Sequence, residues 1–272
     1  MDDVQIKEMV RARYGGIAAA AGVAACCGPA TEGVADKARR IGYSEDELAA
    51  VPEGANLGLG CGNPQAIAAM RPGETVVDLG SGAGFDCFLA WGQVGATGRV
   101  IGVDMTHEML AKARANAASI GAANVEFRLG ELEHLPIADN TADVVISNCV
   151  INLVPDKAQV FREAFRVLKP GGRVAVSDVI NIVPLSAELQ ADPTLLCGCI
   201  AGAAPRTEVE AWLAAAGFAD IRITEQPESR EAISGWAPGR GIENHVRSAI
   251  VEARKPADGE AVAGCCAPSC CS

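Results

Sequence analysis

Basic charge is what this chain has too little of: 23 lysines and arginines stand against 34 aspartates and glutamates, a net charge of -11 and a pI near 4.8. A phosphate backbone needs a basic face to displace its counterions, so nucleic-acid partners are not expected. Long apolar runs are missing too. Hydrophobic residues make up 49%, but alanine inflates that share, and the longest run, Ile17 to Cys27, falls short of the roughly 18 residues a membrane helix needs. No membrane span is expected. The chain opens Met1-Asp2-Asp3, with acids where a secretory signal carries lysine or arginine, and a cytoplasmic protein is expected. Histidine is scarce, at three residues, and the cysteines do not form paired C-x-x-C knuckles, which makes a zinc module a poor fit.

Cysteine itself is plentiful. Eleven are present, several in tight groups: Cys26-Cys27, Cys197-Gly198-Cys199, Cys265-Cys266 and Cys270-Cys271. The odd count, the size and the missing signal argue against a secreted disulfide framework. Reduced thiols in such numbers suit a soft ligand or redox work.

The organising stretch is Val76-Val77-Asp78-Leu79-Gly80-Ser81-Gly82-Ala83-Gly84-Phe85-Asp86-Cys87, a short apolar strand that breaks into a glycine loop and continues into a helix. Gly80, Gly82 and Gly84 let the backbone turn tightly and approach a ligand. A second strand, Val100 to Asp104, ends in an acid placed for the two hydroxyls of a ribose. Asp78 selects among the ligands that glycine loops serve. A pyrophosphate would meet a like charge there, whereas the ammonium and sulfonium of S-adenosylmethionine would meet an opposite one. The third glycine of the dinucleotide pattern is also out of register, because Phe85 follows Gly84. The loop therefore reads as a methyl-donor site, with Asp78, Gly80, Ser81, Gly82, Gly84, Asp104, Met105, Glu131, Leu132 and Asn148 as candidate donor contacts.

From Pro72 strands and helices alternate at short intervals, the mark of a parallel sheet covered on both faces. The pattern predicts strands over 75–79, 99–104, 125–129, 142–147 and 173–179. Helices are predicted over 2–13, where Gly15-Gly16 should break the first, and over 44–50, 65–70, 85–94, 106–120 and 156–168. Another is predicted over 207–216, capped by Thr207 with Glu210 completing a capping box. Two last strands, 219–224 and 245–253, should form an antiparallel pair at one edge. The expected class is thus α/β, a Rossmann-like and mostly parallel sheet with an antiparallel edge. Residues 1–70 form an N-terminal cap, 71–180 the donor-binding core, 181–255 a lid and the C-terminal strands, and 256–272 a disordered, cysteine-rich tail. Cys87 reads as a small core hydrophobe. Cys61 lies on a shaped loop, Gly60-Cys61-Gly62-Asn63-Pro64, and Cys149 lies at the carboxyl end of the fourth strand, where open parallel sheets place their ligands.

Together, Asp78-Leu79-Gly80-Ser81-Gly82-Ala83-Gly84-Phe85-Asp86-Cys87, Gly102-Val103-Asp104-Met105-Thr106, Ser147-Asn148-Cys149-Val150-Ile151-Asn152-Leu153 and Leu168-Lys169-Pro170-Gly171-Gly172-Arg173 resemble the arsenite S-adenosylmethionine methyltransferases, over about Tyr14 to Pro256. The lysine-proline-glycine-glycine run is common among methyltransferases. The cysteine after Ser147-Asn148, with Gly60-Cys61-Gly62-Asn63-Pro64 upstream, is specific. His107 departs from the family's usual proline. The resemblance implies metalloid binding by Cys149 and Cys199, a third thiol at Cys61 and an N-terminal one at Cys26 or Cys27. It also implies arsenite and methylated arsenicals as substrates, a detoxifying role, and a disulfide step involving Cys26 or Cys27 with Cys61 that thioredoxin or glutathione resets. Soft trivalent arsenic prefers a pyramid of three thiolates, and its lone pair can take a methyl group in line. Two other readings compete: a methyltransferase of an apolar quinone-like or sterol-like molecule, which needs no thiols there, and a non-enzymatic metalloid binder, which needs no glycine loop. A nicotinamide oxidoreductase is disfavoured by Asp78.

Overall fold

Short runs rich in valine and isoleucine build the sheet, because β-branched side chains pack well on a pleated surface. In the computed structural model, which describes residues 1–20 and 33–260, the strands are β1 (Thr75–Leu79), β2 (Arg99–Asp104), β3 (Val125–Leu129), β4 (Ala142–Asn148), β5 (Leu168–Asn181), β6 (Ala204–Pro205), β7 (Ala219–Gln226) and β8 (Val246–Arg254). Their order is β3-β2-β1-β4-β5-β8-β7, with β6 paired to β5 off that path. β1 to β6 pair in parallel, while β8 runs antiparallel to both β5 and β7. The antiparallel edge is as expected.

Period-two alternation splits the strand residues between two cores. Val77, Leu79, Ile101 and Val103 face Phe161 and Leu213, from the helices Lys157–Val167 and Arg206–Ala216. Val76, Val100, Val144 and Ile146 face Phe88 and Leu110, from the helices Phe85–Val94 and His107–Ser119. β1 lies directly beside β4, in the register Leu79 with Ser147. Strand order reverses there, so the crevice beyond these two carboxyl ends is the place for a ligand. A third apolar cluster covers it and contains Cys61, Cys149, Cys197 and Cys199 together with Val10, Leu153 and Leu195.

Several boundaries differ from the sequence expectation. The first helix runs Asp3–Ala19, straight through Gly15-Gly16. Asp2 and Gln5 close a capping box, Val10 and Ile17 are buried, and a Cβ at Gly15 would stand 3.1 Å from the Glu108 carboxylate. Tertiary packing outweighs the low helix propensity of the two glycines. β5 begins at Leu168, so Lys169-Pro170-Gly171-Gly172 lies within the strand, and Gly171 N–H reaches the Lys255 carbonyl. The helix expected to be capped by Thr207 starts at Arg206 after Pro205 with no side-chain cap, and Glu210 pairs with Arg206 at 2.8 Å. Thr106 occupies its N-cap position without capping its helix, and its side chain bonds Asp104 instead. The lid region contains two short helices, Ala187–Gln190 and Pro193–Cys197. At the other end Glu260 pairs with Arg254 at 2.7 Å, so chain order persists past 256. The expectations for Cys26, Cys27 and the tail from 261 on lie outside the described residues.

Candidate active site

A cavity of about 1170 Å³, open mouth included, sits over the ends of β1 and β4. Of the candidate donor contacts, Asp78, Gly80, Ser81, Gly82, Asp104, Met105, Glu131, Leu132 and Asn148 line it, as does Cys149. Gly84 does not. A Cβ there would stand 2.7 Å from the Phe88 ring and 2.9 Å from the Phe127 ring, so this glycine allows the helix to start against the core.

Asp104 accepts Gly82 N–H (2.9 Å) and Thr106 N–H (2.8 Å), which ties the glycine loop to the end of β2. Burial raises its carboxyl above the usual range, against the pull of those donors. Asp78 is buried and accepts the Cys87 thiol at 3.2 Å, so Cys87 is a core residue with a polar contact. Burial, reinforced by the charge of Asp86, pushes Asp78 well up. A cation placed beside this acid pair would reverse both effects. The Ser81 hydroxyl is buried and has no hydrogen-bond partner. A Cβ at Gly82 would meet only the Met109 sulfur, 3.9 Å away, and would stand in the cavity. Unpaired donor capacity, a glycine cradle and buried acids fit a cationic nucleoside ligand such as S-adenosylmethionine. The first helix walls the mouth. Lys7 reaches Glu131 at 2.6 Å and Glu133 at 3.0 Å, Arg11 reaches Glu131 at 3.5 Å, and Val10 and Tyr14 line the cavity.

Three of the expected thiols meet behind the cavity wall. Cys61 is 3% exposed, Cys149 8% and Cys199 2%, and none is in a disulfide. The Cys149 thiol bonds those of both Cys61 and Cys199, and the Cys199 thiol also reaches the Cys149 carbonyl at 2.8 Å. Only Cys149 of the three also lines the cavity, so it is the shared wall between cavity and thiol cluster. Cys149 and Cys199 hold left-handed backbone conformations, with φ of 58° and 62°. Among non-glycine residues such strain costs about 1–3 kcal/mol each and clusters at functional sites.

Local geometry explains how the Cys61 loop is held. The Ser177 carbonyl accepts Cys149 N–H (2.8 Å) and the Cys61 thiol (3.7 Å). Gly62 packs so close to β5 that a Cβ would fall 1.9 Å from the Ser177 hydroxyl, so only glycine fits. Asn148 clamps the loop with its amide, accepting Cys61 N–H (3.0 Å) and donating to the Gly62 carbonyl (2.9 Å). The same amide donates to Tyr43 Oη (2.9 Å) and Asp86 (3.1 Å), and Tyr43 donates to Asp86 at 2.6 Å. Asn148, expected as a donor contact, thus spends its amide on the protein.

Two of the thiols, Cys61 and Cys149, are held protonated. Burial pushes Cys61 up to about 11. For Cys149 the bond with Cys199 favours the thiolate, but the bond with Cys61, burial and nearby negative charge outweigh it, and the net shift is well upward. Asp178 completes the cluster, one of its carboxylate oxygens lying with the Cys61 and Cys149 sulfurs all within 4.8 Å of one another. Sequence reading missed Asp178, Tyr43 and Asp86 as site residues. Asp178 could have been found from strand order, since β4 and β5 pair with Asn148 opposite Ser177.

Comparison with known proteins agrees with this geometry. Residues 70–217 match the family model of a methyltransferase domain. An arsenite methyltransferase of Halobacterium salinarum is 53% identical over 94% of this chain and 68% of its own length. One from Aquipseudomonas alcaligenes is 47% identical over 62% of this chain, which spans 51% of that protein. The crystal structure of an arsenic(III) S-adenosylmethionine methyltransferase from Chlamydomonas reinhardtii superposes with a TM-score of 0.63 at 33% identity, covering 83% of this chain and 75% of that one.

Proposed function

The chain belongs to the arsenite methyltransferase family, and we propose that it moves methyl groups from S-adenosylmethionine to trivalent arsenic bound by Cys61, Cys149 and Cys199. One observation carries the assignment of ligands: three thiols from separate loops converge in one buried cluster, and Cys149 belongs both to that cluster and to the donor cavity. S-adenosylmethionine, when bound, supplies a methyl group made electrophilic by its sulfonium. Asp78 and Asp86 line that end of the cavity as a buried acid pair, which a cationic ligand would hold ionised, and Asp104 is placed for the ribose.

The protonated state of Cys61 and Cys149 suits arsenite. Arsenous acid is neutral, and its three hydroxyls leave as water with the thiol protons, so no base has to remove them. The three sulfurs then hold the arsenic electron-rich with its lone pair free. The protein's share of catalysis is chiefly alignment of two bound reactants, and its apolar lid excludes water. A quinone-like or sterol-like substrate would leave three buried, clustered thiols without a purpose.

Reduction of the methylated arsenic belongs to the same proposal. Cys61 with Cys26 or Cys27 would form the disulfide, and thioredoxin or glutathione would reset it. The test of the whole reading is incubation with labelled S-adenosylmethionine, arsenite and a thiol reductant, followed by arsenic speciation. Labelled methylarsenicals are expected. Label transferred to a quinone but never to arsenic would contradict the reading.

A further inference from the structure

Asp178 belongs to the thiol cluster and does not line the donor cavity. It lies one residue past Ser177, whose carbonyl already holds Cys149 N–H and the Cys61 thiol. The Asp178 side chain is buried, and three donors aim at it: Ile151 N–H (2.9 Å), Asn152 Nδ2 (2.8 Å) and Val179 N–H (2.7 Å). Burial raises its carboxyl to about 6, and these donors, which favour a carboxylate over a carboxylic acid, oppose the rise, so the group is ionised at neutral pH. Lys157 lends further positive field, with its ammonium held by the Val154 carbonyl at 3.0 Å. A fixed anion is therefore built beside two of the three arsenic ligands. The three-thiol cage does not require it.

We propose that Asp178 is a catalytic residue that stabilises the positive charge arriving on arsenic during methyl transfer. The inference rests on the three-thiol reading and deepens it. In the transfer, the lone pair of thiolate-bound arsenic forms the arsenic–carbon bond. The carbon–sulfur bond of the donor breaks, and its electron pair stays on sulfur, which becomes a neutral thioether. Arsenic passes from the trivalent to the pentavalent state, no proton moves, and the positive charge migrates from sulfonium to arsenic. Asp78 and Asp86 stand where that charge begins, and so stabilise the bound donor. Asp178 stands where the charge ends, the position at which a preorganised anion lowers the barrier and not only the ground state.

The test separates binding from chemistry with Asp178→Asn and Asp178→Ala. Arsenite binding is followed by the near-ultraviolet absorbance of arsenic–thiolate bonds, donor binding by calorimetry, and methyl transfer by single-turnover quench. Both variants are expected to bind arsenite and S-adenosylmethionine as the wild type does. Their single-turnover rates should fall about 100-fold, the size of losing one preorganised charge-stabilising group. Added formate should restore rate to Asp178→Ala, where it can occupy the vacated carboxylate site, and leave the wild type unaffected. Three outcomes would overturn the proposal: an unchanged single-turnover rate, a rate that falls only in step with arsenite affinity, or no recovery with formate. Absence of the arsenic–thiolate absorbance in the wild type would instead remove the three-thiol reading on which the proposal stands.

Discussion

Cys149 is the residue on which both halves of the site depend. It ends the strand that borders the donor cavity, its thiol touches both neighbouring thiols, and its backbone is held in the left-handed region. Asn148, one residue earlier, fixes the distance from Cys149 to the Cys61 loop. In Asn148→Ala two partly buried partners, Cys61 N–H and the Gly62 carbonyl, lose their bonds, a change worth about 1–3 kcal/mol. Methylation of arsenite should fall by about tenfold or more on that scale, whereas methylarsenite, which under the proposed cage needs only the Cys149 and Cys199 thiols, should be nearly spared. Steady-state rates on the two substrates provide the comparison. Equal losses would mean that Asn148 acts on the donor and not on the third thiol.

At the scale of elements, the first helix joins the two halves. It reaches the donor side through Lys7 and Arg11, and the lid through Tyr14, whose hydroxyl bonds the Cys197 carbonyl at 3.0 Å. Partly exposed ion pairs contribute little each, so Lys7→Ala should weaken S-adenosylmethionine binding by only about threefold. The wild-type affinity should also decline with salt. Calorimetry at two ionic strengths measures both, and a salt-independent affinity would separate this helix from donor binding. The sequence disclosed the sheet far better than this helix. Thr75 to Leu79, Arg99 to Asp104 and Val125 to Leu129 match the observed strands end to end, because short apolar or alternating runs between turn signals carry their own boundaries. Gly15-Gly16 misled because the contacts that hold the helix come from Glu108 and Thr106, far along the chain. Thr207 misled because a capping-box pattern says nothing of the Pro205 that already ends β6. The donor cavity was legible because glycines and acids at fixed spacing state their chemistry locally. Asp178 and Tyr43 were not, since each matters only through strand neighbours or loop contacts that no local pattern encodes.

For the molecule as a whole, the donor cavity and the thiol cluster share one sheet end, so ligands should stabilise the fold by mass action. At 100 times its dissociation constant, S-adenosylmethionine should add about 2.7 kcal/mol, or roughly 5–10 °C in Tm for a chain of this size. NAD should add nothing, and a shift with NAD alone would contradict the donor assignment. The account's central claim is that three buried thiols form one arsenic cage in which Cys149 and Cys199 are indispensable and Cys61 is needed as a ligand only for the unmethylated substrate, its redox role being replaceable by added reductant. Its most direct test is to assay Cys61→Ser, Cys149→Ser and Cys199→Ser on arsenite and on methylarsenite under reducing conditions, after checking that each still binds S-adenosylmethionine. Serine replaces a soft ligand with a hard one that arsenic binds poorly. The account predicts that Cys149→Ser and Cys199→Ser lose both reactions, while Cys61→Ser loses most of its arsenite activity and keeps methylarsenite methylation. Wild-type arsenite methylation by Cys149→Ser would contradict it.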